Sequence, residues 1–213
     1  MKEKGKDNSS ETIYVHHIGI ATDVLGPGKR LVLWLSGCPM NCPGCIEPEL
    51  HNIEAGSPWN VKDLVLEIQP LLCGLNGITL SGGEPFFQAN ALHRFLQLLD
   101  GRHDVLVYSG YTSEYLKEHY SHIFPYIDII ISGAYEQDKE GSYLWRGSEN
   151  QEILSPSGKY DQAKLSTWMN SLTAGIEVFF EDERMYVYGV PAKGVLKKLH
   201  DEMGAGGVDV CLQ

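Results

Sequence analysis

Four times in this chain an apolar run ends in the dipeptide Ser-Gly. Leu31-Val32-Leu33-Trp34-Leu35 leads into Ser36-Gly37, Gly77-Ile78-Thr79-Leu80 into Ser81-Gly82, Asp104-Val105-Leu106-Val107-Tyr108 into Ser109-Gly110, and Tyr126-Ile127-Asp128-Ile129-Ile130-Ile131 into Ser132-Gly133. Runs that are apolar on both faces suit strands buried in a parallel sheet. Helical patterns lie between them: Val61, Leu64, Val65, Ile68, Leu71 and Leu72 behind the cap Asn60, then Leu92, Phe95, Leu96 and Leu99, then a segment from about Ser113 to His122. This alternation predicts an α/β fold with an open parallel sheet and right-handed crossovers. The units are too few for a closed eightfold barrel, so a partial (β/α) barrel is expected. Its Ser-Gly rim allows tight turns and close backbone approach, at the carboxyl ends of the strands where such sheets hold ligands.

The first of these strands delivers Cys38-Pro39-Met40-Asn41-Cys42-Pro43-Gly44-Cys45. The turn formers Pro39, Asn41, Pro43 and Gly44 curl the loop so that three sulfurs can face one hollow. Structural zinc wants four closed ligands, and iron-sulfur clusters are usually held by four thiolates. Three thiolates make a cage with one corner missing. A zinc site completed by His51 or Cys73 is the competing reading. A disulfide framework fits poorly, because the five cysteines are odd in number and no signal peptide precedes them.

The cysteine spacing, followed by Ser81-Gly82-Gly83-Glu84-Pro85, resembles the radical S-adenosylmethionine superfamily. The resemblance implies a [4Fe-4S] cluster on Cys38, Cys42 and Cys45. Its open iron would be chelated by the methionine moiety of S-adenosylmethionine, and Gly82, Gly83 and Glu84 would grip the amino group of that moiety. It further implies reductive cleavage to a 5'-deoxyadenosyl radical and an external electron donor, a flavodoxin or ferredoxin. Ser109 falls where the superfamily often contacts the ribose or carboxylate of the cofactor; a serine at a strand end is also a common cap or turn residue.

Further segments resemble the small activating enzyme of anaerobic ribonucleotide reductase: Tyr108 through Thr112, Ile127 through Glu136, and Trp145-Arg146-Gly147-Ser148-Glu149-Asn150-Gln151. Arg146, Ser148, Asn150 and Gln151 offer hydrogen-bonding groups suited to holding a peptide backbone or closing the site, or they tie down a surface loop of their own. The resemblance implies hydrogen abstraction from a polypeptide, either a glycine of the reductase or a ribosomally made precursor peptide, as in backbone or tyramine excision. A scaffold that binds zinc or an iron-sulfur cluster without catalysis is a third reading. One departure stands out: this group usually carries asparagine two positions after the third cysteine, where this chain has Glu47.

Residues 1–11 read as a disordered polar tail, 12–154 as the core and 155–213 as an extension. The extension is expected to contain a hairpin, Gly175 to Phe180 with Met185 to Gly189, and a helix opened by Pro191. It would cover an open sheet edge or dock a partner. His16 and His17 should point to opposite faces of a strand, one exposed and one packed. Seventeen basic against 28 acidic residues, a net charge of -11, argue against nonspecific nucleic-acid binding. No apolar stretch approaches the roughly 20 residues that span a bilayer. A cytoplasmic protein with free thiols is expected.

Overall fold

The computed structural model of the chain describes residues 10–99, 103–181, 184–204 and 209–212. Of the expected polar tail only residues 10 and 11 fall within these, and the middle of the hairpin turn, Asp182-Glu183, lies outside them.

Strands β1 (Thr12–Thr22) and β2 (Lys29–Leu35) form an antiparallel pair with an irregularity between Val15 and His17. Strand β3 (Ser57–Asn60) pairs with the other side of β1. Then come helix α1 (Val61–Ile68), β4 (Gly77–Gly82), α2 (Ala89–Leu99), β5 (Asp104–Ser109), α3 (Ser113–Tyr120) and β6 (Ile129–Ser132). Short strands β7 (Glu140–Tyr143) and β8 (Arg146–Ser148) make a ribbon of their own, and β9 (Glu152–Leu154) returns antiparallel to β6. Helix α4 (Gln162–Met169) precedes β10 (Gly175–Glu181), β11 (Arg184–Val190), α5 (Val195–Gly204) and β12 (Asp209–Leu212). The large sheet runs β3-β1-β2-β4-β5-β6-β9, with β2, β4, β5 and β6 parallel, and it is open at β3 and β9.

Local chemistry sets the helix starts. Asn60 accepts from the Lys62 N–H at 3.0 Å, Thr112 from the Tyr115 N–H at 3.3 Å and Asp161 from the Lys164 N–H at 2.8 Å. Several boundaries differ from the sequence pattern. α1 stops at Ile68, leaving Leu71 and Leu72 in a 3-10 turn, Gln69–Leu72, with Leu71 exposed, and α3 stops at Tyr120. β6 starts at Ile129 because Phe124–Tyr126 forms a 3-10 turn ahead of it. α5 starts at Val195 rather than at Pro191, since Gly194 at φ +81° holds a turn first.

Both faces of the sheet are covered, which is why its strands are apolar throughout. On the outer face Leu31, Leu33, Leu35, Ile78, Leu80, Val105, Val107 and Ile130 pack against buried residues of α1, α2 and α3. The inner face is layered along the strand direction. At its start Arg30, 1% exposed, reaches over Gly77 to Asp104 at 2.7 Å, and Asp104 also receives Lys159 at 2.8 Å and the Tyr160 hydroxyl at 2.7 Å. The next row is Val32, Thr79, Leu106 and Ile129, and the one after it holds Trp34 with Ser81 and Tyr108 with Ile131.

The extension lies over this inner face. Strands β10, β11 and β12 form a separate sheet that pairs with neither edge of the large one, so the expected edge cover is not what the hairpin provides. Tyr188 packs on Trp34, ring centroids 4.7 Å apart, and Tyr186 stacks on His17 at 5.5 Å. His17 is the packed imidazole of the pair, bonded to the Tyr188 hydroxyl at 2.6 Å, while the His16 Nδ1 meets the Ala55 carbonyl.

Candidate functional site

The loop after β2 turns back sharply at Gly37 (φ +87°), Asn41 (φ +48°) and Gly44 (φ +74°), the backbone values its turn formers favour. It is anchored from the Gly37 N–H to the Leu50 carbonyl at 2.8 Å and from the Cys38 N–H to the His51 carbonyl at 3.2 Å. Cys38, Cys42 and Cys45 are all half-buried and line a single cavity of about 360 Å³ at the carboxyl ends of the parallel strands. Burial raises the Cys38 thiol to about 11, helped by the carboxyl of Glu84 and the other two cysteines, and burial also raises Cys45. A metal centre would therefore displace protons as it bound.

Neither His51 nor Cys73 lines the cavity, and Cys73 is exposed. Among the described residues no three His, Cys, Asp or Glu side chains converge as a single-ion site. A cubane cluster spreads its thiolates over different irons and does not require that convergence. Three half-buried thiols at one end of a cavity fit such a cluster better than they fit a closed zinc site.

The Ser81 to Glu84 segment is locked to the cysteine loop through its backbone. The Gly83 N–H donates to the Leu35 carbonyl at 2.7 Å and the Glu84 N–H to the Gly37 carbonyl at 2.9 Å. A Cβ on Gly82 would come within 2.3 Å of the Leu35 oxygen, and one on Gly83 within 2.5 Å of the Gly37 oxygen. These two glycines are therefore required by the close approach of β2 and its loop. With those N–H groups engaged, the segment offers a ligand acceptors rather than donors, the polarity an ammonium group needs.

Glu84 is buried, and its carboxylate accepts from the Phe86 N–H at 3.0 Å, the Gly110 N–H at 2.7 Å and the Ser109 hydroxyl at 3.0 Å. Burial pushes its carboxyl up to about 7, against those three donors. Ser109 gives its proton to Glu84 and accepts from the Tyr111 N–H at 3.1 Å, so its hydroxyl braces the rim. Ser109 also lines the cavity, where it was expected to meet a cofactor.

Further round, the Gly133 N–H donates to the carbonyls of Ser109 and Tyr111, Gln151 Nε2 to the Gly133 carbonyl at 2.9 Å, and Asn150 Nδ2 to the Ala134 carbonyl at 2.8 Å. Gln151 Oε1 accepts from Gly147 and Ser148, while the Ser148 hydroxyl accepts from the Glu136 N–H. Arg146, 2% exposed, donates to the carbonyls of Glu149, Gln151 and Met169. The Arg146 to Gln151 segment is thus tied down by its own side chains, and only its Gly147 and Gln151 reach the cavity. The polar residues selected from the sequence form a continuous row of stitches from β2 to β9.

Other residues complete the cavity. Glu47 lines it with one carboxyl oxygen buried and without a hydrogen-bond partner among the described residues, and burial, with Glu49 adding to it, raises its carboxyl to about 8. The sequence signal for it was only its departure from asparagine. Leu25, Trp34, Tyr108 and Trp145 form the deep side, and Gly189, Val190 and Pro191 of the extension close it. No local pattern links these residues, which are brought together by the sheet and the returning hairpin.

The family described as "4Fe-4S single cluster domain" matches residues 24–154, more than half of the chain. The anaerobic ribonucleoside-triphosphate reductase-activating protein of Pasteurella multocida is 35% identical over 144 residues, which are 62% of this chain and 91% of that one. Its counterpart in Enterobacteria phage T4 is 32% identical over 140 residues, 62% of this chain and 87% of that one. The Escherichia coli K12 protein of the same description is 31% identical over 140 residues, 61% and 90% of the two chains. Among solved structures, QueE from Escherichia coli gives a loose likeness, with a TM-score of 0.47 and 14% identity over 95% of this chain and 94% of that one. The match across the cysteine loop and the stitched rim places the chain in the 4Fe-4S single cluster domain family, alongside the anaerobic ribonucleoside-triphosphate reductase-activating proteins it resembles.

Proposed function

We propose that the chain is a radical enzyme that abstracts a hydrogen atom from a polypeptide, with a glycine of an anaerobic ribonucleotide reductase as the leading target. One observation carries this reading: three half-buried cysteines and the Gly82 to Glu84 segment line the same cavity, and the segment is tied to β2 and its loop by the Gly83 and Glu84 N–H bonds. When bound, a [4Fe-4S] cluster and S-adenosylmethionine supply an electron and a carbon radical that removes the hydrogen.

The chain's own contribution is placement and exclusion of water. Cys38, Cys42 and Cys45 would hold the cluster, leaving one iron for the cofactor. Gly82 and Gly83 would present backbone acceptors to its amino group. Glu84 and Ser109 keep β4 and β5 in register at the mouth, and Trp34, Tyr108 and Trp145 make the deep side apolar. The electron would come from a flavodoxin or ferredoxin. The second reading, modification of a ribosomally made peptide, gains support from the cavity wall supplied by Gly189 to Pro191. The aligned stretch covers 91% of the Pasteurella relative but 62% of this chain, so that relative has no room for a comparable extension.

To test the chemistry, the protein is reconstituted anaerobically with iron and sulfide, reduced with dithionite, and assayed for 5'-deoxyadenosine from S-adenosylmethionine. Cys42→Ala should lose the cluster absorbance and the product together. Full product formation by that variant, or preferential zinc uptake under anaerobic expression, would overturn the reading.

A further inference from the structure

The mouth of the cavity carries two polar side chains that the rim leaves free. Glu136, in the connection from β6 to β7, is extended (φ -120°, ψ 109°), so Tyr135 and Gln137 on either side of it point the same way. Both line the cavity. Tyr135 is half-buried and Gln137 is exposed, so a ligand arriving from solvent can meet them. The donors of Ser109, Trp145 and Gln151, also on the lining, are engaged with Glu84, the Asp23 carbonyl and the Gly133 carbonyl. The Tyr135 hydroxyl and the Gln137 amide have no hydrogen-bond partner among the described residues.

The surroundings hold this pair in place. Asn150 Nδ2 donates to the Ala134 carbonyl at 2.8 Å, and the Ser148 hydroxyl accepts from the Glu136 N–H at 3.2 Å. The Lys139 N–H donates to the Glu136 carbonyl at 3.0 Å, and the Lys139 carbonyl accepts from the Glu149 N–H at 3.0 Å. Two glycines make room. A Cβ on Gly147 would come within 3.0 Å of the Tyr135 ring, and one on Gly44 within 3.0 Å of the Gln137 amide carbon. Gly44 precedes Cys45, so Gln137 reaches across to the cysteine loop. Burial raises the Tyr135 hydroxyl, and Glu140 and Cys45 add to it, which places the phenol within electrostatic reach of the same loop. The stitches between Arg146 and Gln151 therefore have a product: a phenol and an amide set side by side on a supported backbone.

A side-chain amide offers donors and an acceptor of the same kind as a peptide unit, and a phenol adds a further donor. On the reading that the substrate is a polypeptide, we propose that Tyr135 and Gln137 clamp its main chain, Gln137 pairing with one peptide unit through both its N–H and its oxygen and Tyr135 donating to a neighbouring carbonyl. Such a clamp reads backbone rather than side chains. A reaction at glycine needs this, because glycine has no side chain to hold. The clamp acts at the mouth and leaves the cavity itself to cluster and cofactor.

The test uses the reconstituted full-length protein with S-adenosylmethionine and two probes, N-acetyl-pentaglycinamide and the corresponding sarcosine pentamer, whose methylated nitrogens keep the carbonyls and remove the peptide N–H groups. Binding is followed by saturation-transfer NMR. The glycine probe should bind about three- to tenfold more tightly than the sarcosine probe, the range expected for one hydrogen bond. Gln137→Met, similar in length but without the amide, should weaken the glycine probe by that factor and abolish its advantage. Tyr135→Phe should weaken both probes about three- to tenfold, because both retain the carbonyl it serves. Equal affinity of the unaltered protein for the two probes, no saturable signal from the glycine probe, or variants that bind it as the unaltered protein does would overturn the proposal. S-Adenosylmethionine affinity is titrated calorimetrically for each variant, and a tenfold loss there would also overturn it, by giving the pair to the cofactor. 5'-Deoxyadenosine formation is measured in parallel. Cofactor cleavage without binding of the glycine probe overturns the clamp alone, whereas absence of cleavage overturns the radical reading beneath it.

Discussion

Replacing Asp104 by alanine would remove the counter-charge of Arg30 at the start of the inner face of the sheet. Arg30 is 1% exposed and Asp104 8%, and their ion pair closes to 2.7 Å. After the change Arg30 keeps neutral acceptors: the Thr79 hydroxyl at 2.8 Å, the Ile78 carbonyl at 2.7 Å and the backbone carbonyl of residue 104 at 2.9 Å. Lys159, 45% exposed, can turn to water. Breaking a buried pair by removing one partner costs about 3–5 kcal/mol, and the retained acceptors place this case near the lower end, about 3 kcal/mol. For a chain of this size that is about 6–12 °C in melting temperature. Circular dichroism melts of the full chain measure it. The double variant Arg30→Met with Asp104→Leu removes both charges and should melt above Asp104→Ala, because no unpaired charge remains. A loss below about 1 kcal/mol, or a double variant no better than the single one, would refute the reasoning. The pH profile gives an independent check. Burial works to raise the Asp104 carboxyl, but Lys159, Arg30 and Tyr160 outweigh it and hold it below the usual carboxylate range. The stabilisation is therefore complete above the unfolded carboxyl value, about 3.9, and is lost as pH falls through the lower folded value. Asp104→Ala should flatten stability in that acid window.

Three other perturbations have definite outcomes. Burial, with His16 adding to it, holds His17 below the ordinary imidazole value, so the unfolded chain takes up the proton first and stability falls as pH drops below about 6.5; His17→Phe should reduce that fall in melts between pH 8 and 5. Glu84→Gln turns an amide N–H₂ toward a ring of three donors, and should cost about 1–3 kcal/mol in urea unfolding while lowering cofactor cleavage. Deleting residues 174 to 213 strips Tyr186 and Tyr188 from His17 and Trp34 and removes one wall of the cavity; cofactor cleavage and partner modification should fall together, with a red shift in tryptophan emission, whereas loss of partner modification alone would show that the extension serves docking only.

Much of the scaffold was legible because its signals are local. Leu64 and Ile68 of α1, or Leu92, Phe95, Leu96 and Leu99 of α2, repeat at helical spacing on one face and are buried as that spacing demands. The cysteine loop was legible for the same reason: its ligand spacing and its turn formers are adjacent in the chain. Helix α4 escaped notice because only Leu165 and Trp168 are buried along it, and β7, β8 and β9 are too short to show a period. The Arg30 to Asp104 pair was invisible because 74 residues separate its partners. The polar candidates Ser109, Arg146, Ser148, Asn150 and Gln151 form hydrogen bonds within the rim, and Ser109 and Gln151 line the cavity as well. Composition cannot distinguish a group that meets a ligand from one that holds the neighbouring strand. The cavity lining needed the three-dimensional return of β11 to bring Val190 beside Trp34 and Tyr108.

That return also imposes an order on biogenesis. The cysteine loop and the strands that carry it leave the ribosome well before Gly189 to Pro191, and domains are generally assembled from the amino end as they are made. Until the hairpin docks, Trp34 and the sulfurs face open solvent, accessible to whatever delivers iron and sulfide; afterwards the same groups sit behind a wall. In this fold a segment synthesised well after the cysteine loop supplies one wall of the cavity that the loop lines.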